Sequence, residues 1–201
     1  MRQRLIILFM VAFAVALAPA QVLRRPIKYF PDSSVDLPRD HFKSDWYSAQ
    51  LSALQEPSLY QMIKAANAES YRFLWLRTFH HPVAVRIDVN PDGTSLLTAK
   101  MASGAGGYRP GTISEKHSQM LSKEQTSAFL SQVEASRFWR APNPINDQRG
   151  TDGSQWIIEG LKHGRYHVVD RWSPTSGVAR QLGSIMAFDL ANLKVPKEEI
   201  Y

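Results

Sequence analysis

The hydrophobic and polar positions of this chain change their period several times, and each change predicts a different element. Tyr47, Leu51 and Leu54 lie at the i, i+4 and i+7 spacing of an amphipathic helix, and Pro57 ends that helix. The apolar positions in 59–63 then favour a second helix. Two helices are therefore expected before the first strand.

Alternating patterns follow, with a period of two residues. Tyr71–Thr78 is rich in aromatic residues and predicts a strand that is apolar on both faces, whereas Val83–Val89 is typical of a half-buried strand. Asn90–Gly93 contains Pro-Asp-Gly, which favours a tight turn. The chain is expected to return through Ser95–Met101 as an antiparallel partner.

The second half of the chain shows the same two kinds of pattern. Ser122 and Gln125 form a capping box for a helix that runs to about residue 135. Gln155–Leu161 and Arg165–Trp172 read as strands joined by a tight turn at His163–Gly164, and a last helix is expected after residue 174. The order of elements predicts an α+β fold, with an antiparallel sheet of about five strands and helices packed on one face.

The first residues read as a secretory signal. Two arginines precede the unbroken apolar run Leu5–Ala18, which is shorter than the ~20 residues of a membrane-spanning helix. Ala18 and Ala20 are small residues at the positions that a signal peptidase reads, so cleavage is expected before Gln21. The predicted organisation is a signal peptide over 1–20, an extended arm or linker over 21–44 and a single domain over 45–201. The expected location is periplasmic or extracellular, and membrane contact is expected only if the signal stays uncleaved.

Composition narrows the classes of function. The chain has no cysteine, which excludes disulfides, thiolate nucleophiles and thiolate metal ligands. Loss of the two arginines in the signal leaves 22 basic and 18 acidic residues, a net charge of +4 with neutral histidine. So small a net charge does not indicate nucleic-acid binding. No cofactor is expected.

A turn at His163–Gly164 fixes the register of the last hairpin, because paired residues step outward from Lys162 opposite Arg165 to Trp156 opposite Arg171. One face of the hairpin then carries Trp156, Ile158, Lys162, Arg165, His167, Val169 and Arg171. The other face carries Gln155, Ile157, Glu159, Leu161, Tyr166, Val168, Asp170 and Trp172. The second face has the larger apolar set and is expected to meet the helices.

Two candidate sites follow from this register. Glu159 and Asp170 share a face diagonally, with Tyr166 nearby, and resemble a paired-carboxylate catalytic site. The alternative is that each carboxylate lies at the edge of the core with its own arginine or tyrosine partner.

On the other face, the second candidate combines Trp156 with Arg165, His167 and Arg171. Guanidinium groups beside an indole ring can bind an anionic or sugar ligand. The alternative is a solvated face on which positive charge protects exposed strands.

Other motifs do not lead to a specific chemistry. No metal site is expected, because adjacent His80 and His81 would point to opposite faces and His163 is followed by a strand rather than a helix. The loop Ser103–Gly111 lacks the Gly-Lys-Ser/Thr ending of a phosphate-binding loop, so it is interpreted as a mobile loop or lid. No Gly-x-Ser-x-Gly motif exposes a serine nucleophile.

Four segments together resemble an uncharacterised family of exported bacterial proteins: Leu51–Leu59, Tyr71–Pro82, Gly104–Tyr108 and Asp152–Gly160. The resemblance covers most of the chain after the signal. It implies export, and it carries no activity, ligand or site residue with it.

Two functional hypotheses remain. The first is an exported, non-catalytic domain that binds an envelope glycan, an anionic lipid headgroup or a protein partner. The second is a secreted or periplasmic hydrolase of a cell-wall or other extracellular polymer that uses the paired carboxylates. A deep pocket that gathers Glu159, Asp170 and the 103–111 loop would favour the enzyme, and a flat basic face would favour the binding domain.

Overall fold

The structure is a computed structural model that describes residues 27–65, 67–143 and 152–201. It has an α+β fold with one six-stranded antiparallel sheet and three α-helices. The helices are α1 (Phe42–Ala53), α2 (Lys123–Ala135) and α3 (Gly177–Ser184). The strands are β1 (Glu69–Arg77), β2 (Val83–Val89), β3 (Ser95–Ala102), β4 (Ile113–Leu121), β5 (Ser154–Lys162) and β6 (Arg165–Trp172). The predicted cleavage residues Ala18, Ala20 and Gln21 lie outside the described residues.

The strand order is β4-β3-β2-β1-β5-β6, so β1 lies at the centre of the sheet. The predicted register of the last hairpin is confirmed, since Lys162 pairs with Arg165 and Trp156 pairs with Arg171. His163 and Gly164 both have positive φ, as the two-residue turn of a tight hairpin requires. The side-chain assignment to the two faces of this hairpin therefore holds.

The sheet has six strands rather than about five, because β4 was not predicted. Five consecutive residues of β4, from Ser114 to Ser118, are exposed, and their polar sequence shows no apolar alternation. An edge strand of this kind is held by main-chain pairing with β3 and by few buried side chains. Its polar side chains are also a common protection of a sheet edge against pairing with other chains.

The helices cover both faces of the sheet, which corrects the prediction of a single covered face. On one face, Tyr47 and Leu51 of α1 and Leu54 just after it pack with Leu74 of β1 and Ile157 of β5. On the opposite face, α2 and α3 pack over a larger core that includes Phe73, Trp75 and Trp156. Successive residues of β1 therefore contact different cores, which explains why nearly the whole strand is buried.

Several shorter elements complete the layers. The predicted capping box is present, because Ser122 Oγ accepts from the Gln125 main chain and the Gln125 side chain accepts from the Ser122 main chain. Helical turns of other types occur at Gln61–Lys64, Phe138–Arg140, Ile185–Leu190 and Lys197–Glu199. The α-helix α1 begins three residues before the predicted domain boundary, and Tyr29, Phe30 and Val35 before it are buried against it. No helix within the described residues has the length and apolar character of a membrane span.

Candidate functional site

The paired carboxylates lie on the same face of the hairpin, and each is bound by different partners. Glu159 accepts hydrogen bonds from Arg72 Nε at 2.7 Å and from Tyr166 Oη at 2.8 Å. Asp170 accepts from Lys43 Nζ at 2.8 Å and from Tyr47 Oη at 3.0 Å. Each carboxylate thus has its own tyrosine partner, as in the alternative considered from the sequence, but both are buried rather than at the edge of the core.

Arg72 is the centre of a buried charge cluster formed by Glu56, Arg72, Arg86, Lys100 and Glu159. The Arg72 and Glu159 side chains are 0% exposed. Glu56 lies 3.7 Å from Arg72 and also contacts Arg86 Nε at 2.9 Å and Lys100 Nζ at 2.7 Å. Burial alone would lower the pKa of Arg72, but the two carboxylates outweigh it and raise that pKa. Every charged group of the cluster is thus paired with an opposite charge, so the cluster is a closed ion-pair network rather than an open acid–base site.

Tyr166 belongs to the same network. Burial and the neighbouring Glu159 carboxylate raise the pKa of the Tyr166 phenol well above its ordinary value. The phenol therefore keeps its proton and donates it in the hydrogen bond to Glu159. Glu159 is fully buried, so a polymer substrate has no access to its carboxylate in this arrangement.

The cationic side chains of the opposite hairpin face are engaged by the protein's own main chain. Arg165, His167 and Arg171 hydrogen-bond to the carbonyl oxygens of Trp139, Ala141 and Pro142, respectively. Arg171 also donates to Asn143 Oδ1 at 3.2 Å, and the Arg165 guanidinium lies over the Trp139 ring. These residues hold the covering segment, Phe138–Asn143, across β6.

Trp156 lies in the core rather than on an exposed face. Its ring is 5.0 Å from Phe73 and 5.2 Å from Trp75, and the Arg180 guanidinium lies 4.7 Å above it. The indole Nε1 donates to Ser154 Oγ at 2.9 Å and to the Tyr201 main-chain oxygen at 2.9 Å. Trp156 is thus a core residue, although it pairs with Arg171 on the same face of the hairpin.

Acidification is expected to lower the stability of the folded chain through His167. Burial lowers the pKa of the His167 imidazole, and Arg165 and Arg171 act in the same direction. The unfolded chain therefore binds a proton at a higher pH than the folded chain does. This contribution to the free energy of unfolding is complete above about pH 6.5 and is lost as the pH falls through the lowered pKa. Urea unfolding at about pH 7.5 and about pH 5 would measure the loss.

A matched pair of variants isolates this effect. His167→Gln keeps an N–H donor for the Ala141 carbonyl and does not titrate, so it should lose less stability than the wild type between the two pH values. His163→Gln, in the hairpin turn, should behave like the wild type. Equal losses in the wild type and His167→Gln would show that His167 does not carry the dependence.

The sequence interpretation missed a site at the end of the sheet where β1 meets the glycine-rich loop. The loop is pinned on two sides rather than free to act as a lid. Gly106 N–H donates to the His80 carbonyl at 2.9 Å, and Gly107 N–H donates to the Thr78 carbonyl at 3.1 Å. From α1, Trp46 Nε1 donates to the Gly106 carbonyl at 2.7 Å, and Gln50 donates to the Tyr108 carbonyl at 3.0 Å.

Glycine is required in this loop because main-chain atoms of other residues lie too close to leave room for a Cβ atom. A Cβ atom at Gly106 would lie 2.6 Å from the Arg77 carbonyl oxygen, and one at Gly104 would lie 2.0 Å from the Arg109 carbonyl oxygen. Real Cβ atoms do not approach main-chain oxygens so closely. The glycines let the loop pack directly on the end of β1.

Four aromatic residues surround this loop and form what is called here the aromatic surface: Phe42, Trp46, Phe79 and Tyr108. Phe42 is 61% exposed, Phe79 59% and Tyr108 64%. The Phe79 and Tyr108 rings lie 6.4 Å apart, and the Phe42 and Trp46 rings lie 5.9 Å apart. In the sequence, the signals for this surface were an aromatic residue in the turn before Pro82 and a tyrosine next to three glycines.

The histidines do not converge. His80 Nδ1 contacts Tyr201 Oη, His81 Nδ1 contacts the Gly104 carbonyl, and His167 contacts the covering segment. In the part of the chain that the structure describes, no group of three or more histidine, aspartate or glutamate side chains is arranged to hold a metal ion.

Comparison of the chain with models of known protein families and with curated proteins gave no match.

Proposed function

We propose that this chain is an exported, non-catalytic domain that binds a protein partner of the cell envelope through its aromatic surface. The observation that carries the proposal is the side-by-side exposure of Phe79, in the turn between β1 and β2, and Tyr108, in a loop whose main chain is fixed to that turn. The apolar run at the start of the sequence supports export.

The rigidity of the loop supports a binding role. Large aromatic side chains supply much of the binding energy at protein interfaces, and their contribution is greater when little order has to be gained on binding. Gly106 and Gly107 are hydrogen-bonded to the β1–β2 turn, and Trp46 and Gln50 anchor the loop to α1. The aromatic surface is therefore preorganised before any partner arrives.

The charges near the aromatic surface favour a protein as its binding partner over a polyanion. The exposed charged residues flanking the aromatic surface in the chain include Asp45 next to Trp46 and Arg109 next to Tyr108, one of each sign. A surface for an anionic lipid headgroup or a nucleic acid would show an excess of positive charge. Exposed apolar rings with balanced charges fit the apolar centre and polar rim of a protein interface.

The test compares retention of envelope protein by matched variants of the chain from Gln21 onward. The double variant Phe79→Ser/Tyr108→Ser should retain a given envelope protein about tenfold less than the wild type, because two aromatic anchors are lost. Met120→Ser removes an equally exposed apolar side chain from β4, where Met120 is 58% exposed, and should retain as much as the wild type. Retention is measured by quantitative immunoblotting of the eluted protein.

Two results would contradict the proposal. One is equal retention by the wild type and the double variant while both show the same thermal unfolding midpoint. The other is retention that survives protease treatment of the envelope fraction, which would point to a glycan or lipid ligand instead.

A further inference from the structure

The end of the chain lies across a second site that the aromatic surface does not include. Residues Lys197–Tyr201, called here the strap, pass over the ends of β1 and β5. Glu199 Oε2 contacts Arg77 Nη1 at 2.8 Å and lies 3.6 Å from His80 Nε2. Tyr201 Oη lies 2.9 Å from His80 Nδ1, and the Tyr201 main-chain oxygen accepts from Trp156 Nε1 and from Ser154 Oγ.

The two sides of this contact differ in burial. Arg77 is 3% exposed, and Ser154 and Trp156 are fully buried. The strap itself is more open, because Lys197 and Glu198 are exposed and the Glu199 side chain is 29% exposed. The main-chain N–H groups of Glu199 and Ile200 bond within the strap or to Pro196, just before it. The strap is therefore attached through the Glu199 and Tyr201 side chains, the Tyr201 main-chain oxygen and the packing of Ile200 against the larger core.

The strap leaves hydrogen-bonding capacity unused beneath it. Among the described residues, Arg77 Nε and Trp75 Nε1 are buried and have no hydrogen-bond partner. The Arg77 guanidinium lies 4.4 Å from the centre of the Trp75 ring, so both donors belong to one small region. Burial lowers the pKa of Arg77 and Glu199 opposes this only in part. The region has more hydrogen-bond donors than the strap satisfies.

We infer that Arg77, His80, Ser154 and Trp156 form a binding site for an acidic peptide segment of a partner protein, and that the strap occupies this site within the chain. In this site, Arg77 and His80 bind a carboxylate of the peptide. The His80 ring also packs against the aromatic ring of the peptide residue two positions after that carboxylate. Ser154 and Trp156 donate hydrogen bonds to a main-chain oxygen of the peptide. The ligand class is thus a peptide with a carboxylate, one intervening residue and an aromatic residue. This inference does not rest on the aromatic surface.

A partner protein fits the site better than a second copy of the chain does. The strap of a second copy would bring the same groups and leave the Arg77 and Trp75 donors unpaired. A partner segment with one more acceptor would satisfy a donor that is otherwise buried without a partner. The additional hydrogen bond gives such a segment the advantage that it needs to displace the strap.

The strap is tethered to its site by the chain, and this determines how strongly it competes with a free peptide. A segment joined to the site by a short linker acts at an effective concentration of about millimolar, so free peptide competes poorly with an intact strap. Weakening the strap removes this competition, and the apparent affinity for added peptide then rises. The site can therefore be revealed by a change in the strap alone.

The test uses the full chain and a fluorescent peptide with the sequence of residues 195–201, Val-Pro-Lys-Glu-Glu-Ile-Tyr. Glu199→Ala should bind this peptide about tenfold or more tightly than the wild type, because the strap loses its charge-assisted hydrogen bond to Arg77. Glu198→Ala, at the exposed neighbouring glutamate, should bind like the wild type. Fluorescence anisotropy measures the dissociation constant in each case.

Two further measurements test the assignment of the residues. A peptide with alanine at the position equivalent to Glu199 should fail to bind the Glu199→Ala chain. Adding His80→Ala to the Glu199→Ala chain should weaken binding of the original peptide. Equal binding by the Glu198→Ala and Glu199→Ala chains, or equal binding of both peptides, would overturn the site. A concentration-dependent dimer that the free peptide disperses would assign the site to a second copy and overturn the partner.

Discussion

Replacing Arg72 with methionine is expected to lower the free energy of unfolding by about 3–5 kcal/mol, the cost of removing one partner from a buried ion pair. Methionine fills a similar length of the site and provides no positive charge. Glu56 and Glu159 would then face each other across the site without their shared cation. The Pro57 carbonyl, which accepts from Arg72 at 2.6 Å, would also lose that partner. Urea unfolding at neutral pH measures the change.

Arg86 provides the matched control for this prediction. It contacts the same Glu56 carboxylate at 2.9 Å, but its side chain is 15% exposed and it lies at the rim of the cluster. Arg86→Met should cost clearly less than Arg72→Met, because Arg72 and Lys100 still neutralise Glu56. Adding Glu159→Gln to Arg72→Met should restore part of the stability, since it removes one of the uncompensated charges. Near-wild-type stability of Arg72→Met would contradict the structural role given to the cluster.

The sequence alone predicted the elements that depend on local patterns. The register of the β5–β6 hairpin followed from its two-residue turn, and the start of α2 followed from Ser122 and Gln125. β4 could not be found in this way because its side chains are mostly exposed and polar, so only its pairing with β3 defines it. Local patterns determine where a strand can form, but they do not show which edge of a sheet will accept it.

The covering of both faces of the sheet was harder to predict for a related reason. The sequence predicted a β1 strand that is apolar on both faces, although Arg72 interrupts that pattern, and Arg72 is fully buried among carboxylates that come from distant parts of the chain. Only the tertiary structure brings Glu56 and Glu159 to it. A buried charge and an exposed charge look the same in the sequence, so the face beneath α1 could not be assigned from β1 alone.

The candidate sites show the same limit. Correct register placed Trp156, Arg165, His167 and Arg171 on one face, but register does not reveal what covers that face. The covering segment and α3 fill it, and they use the cationic side chains and the indole for internal contacts. The glycine-rich loop was recognised as unusual, and its role became clear only from the Arg77 main chain against which Gly106 packs.

Trp156→Ala is expected to lower the free energy of unfolding by about 3–5 kcal/mol, as truncation of a large aromatic residue in a packed core does. The ring contacts Phe73 and Trp75, and a Cβ atom at Gly183 of α3 would lie 2.7 Å from it, so α3 packs directly on the indole. Alanine would leave a cavity between β5 and α3 and remove the Nε1 donor to the Tyr201 main-chain oxygen. Chemical unfolding followed by tryptophan fluorescence and circular dichroism measures the loss.

Trp46→Ala is the control variant for this prediction. It shows how much of the lost stability of Trp156→Ala comes from core packing and how much from removing a tryptophan as such. Trp46 is partly buried on α1 and donates one hydrogen bond to the Gly106 carbonyl, so its replacement should cost less than that of Trp156. If Trp156→Ala is as stable as Trp46→Ala, the packing described for α3 is wrong. If the larger loss is found, reduced peptide binding by Trp156→Ala reports partial unfolding together with loss of the indole donor in the site beneath the strap. Binding experiments with this variant therefore need the stability measurement beside them.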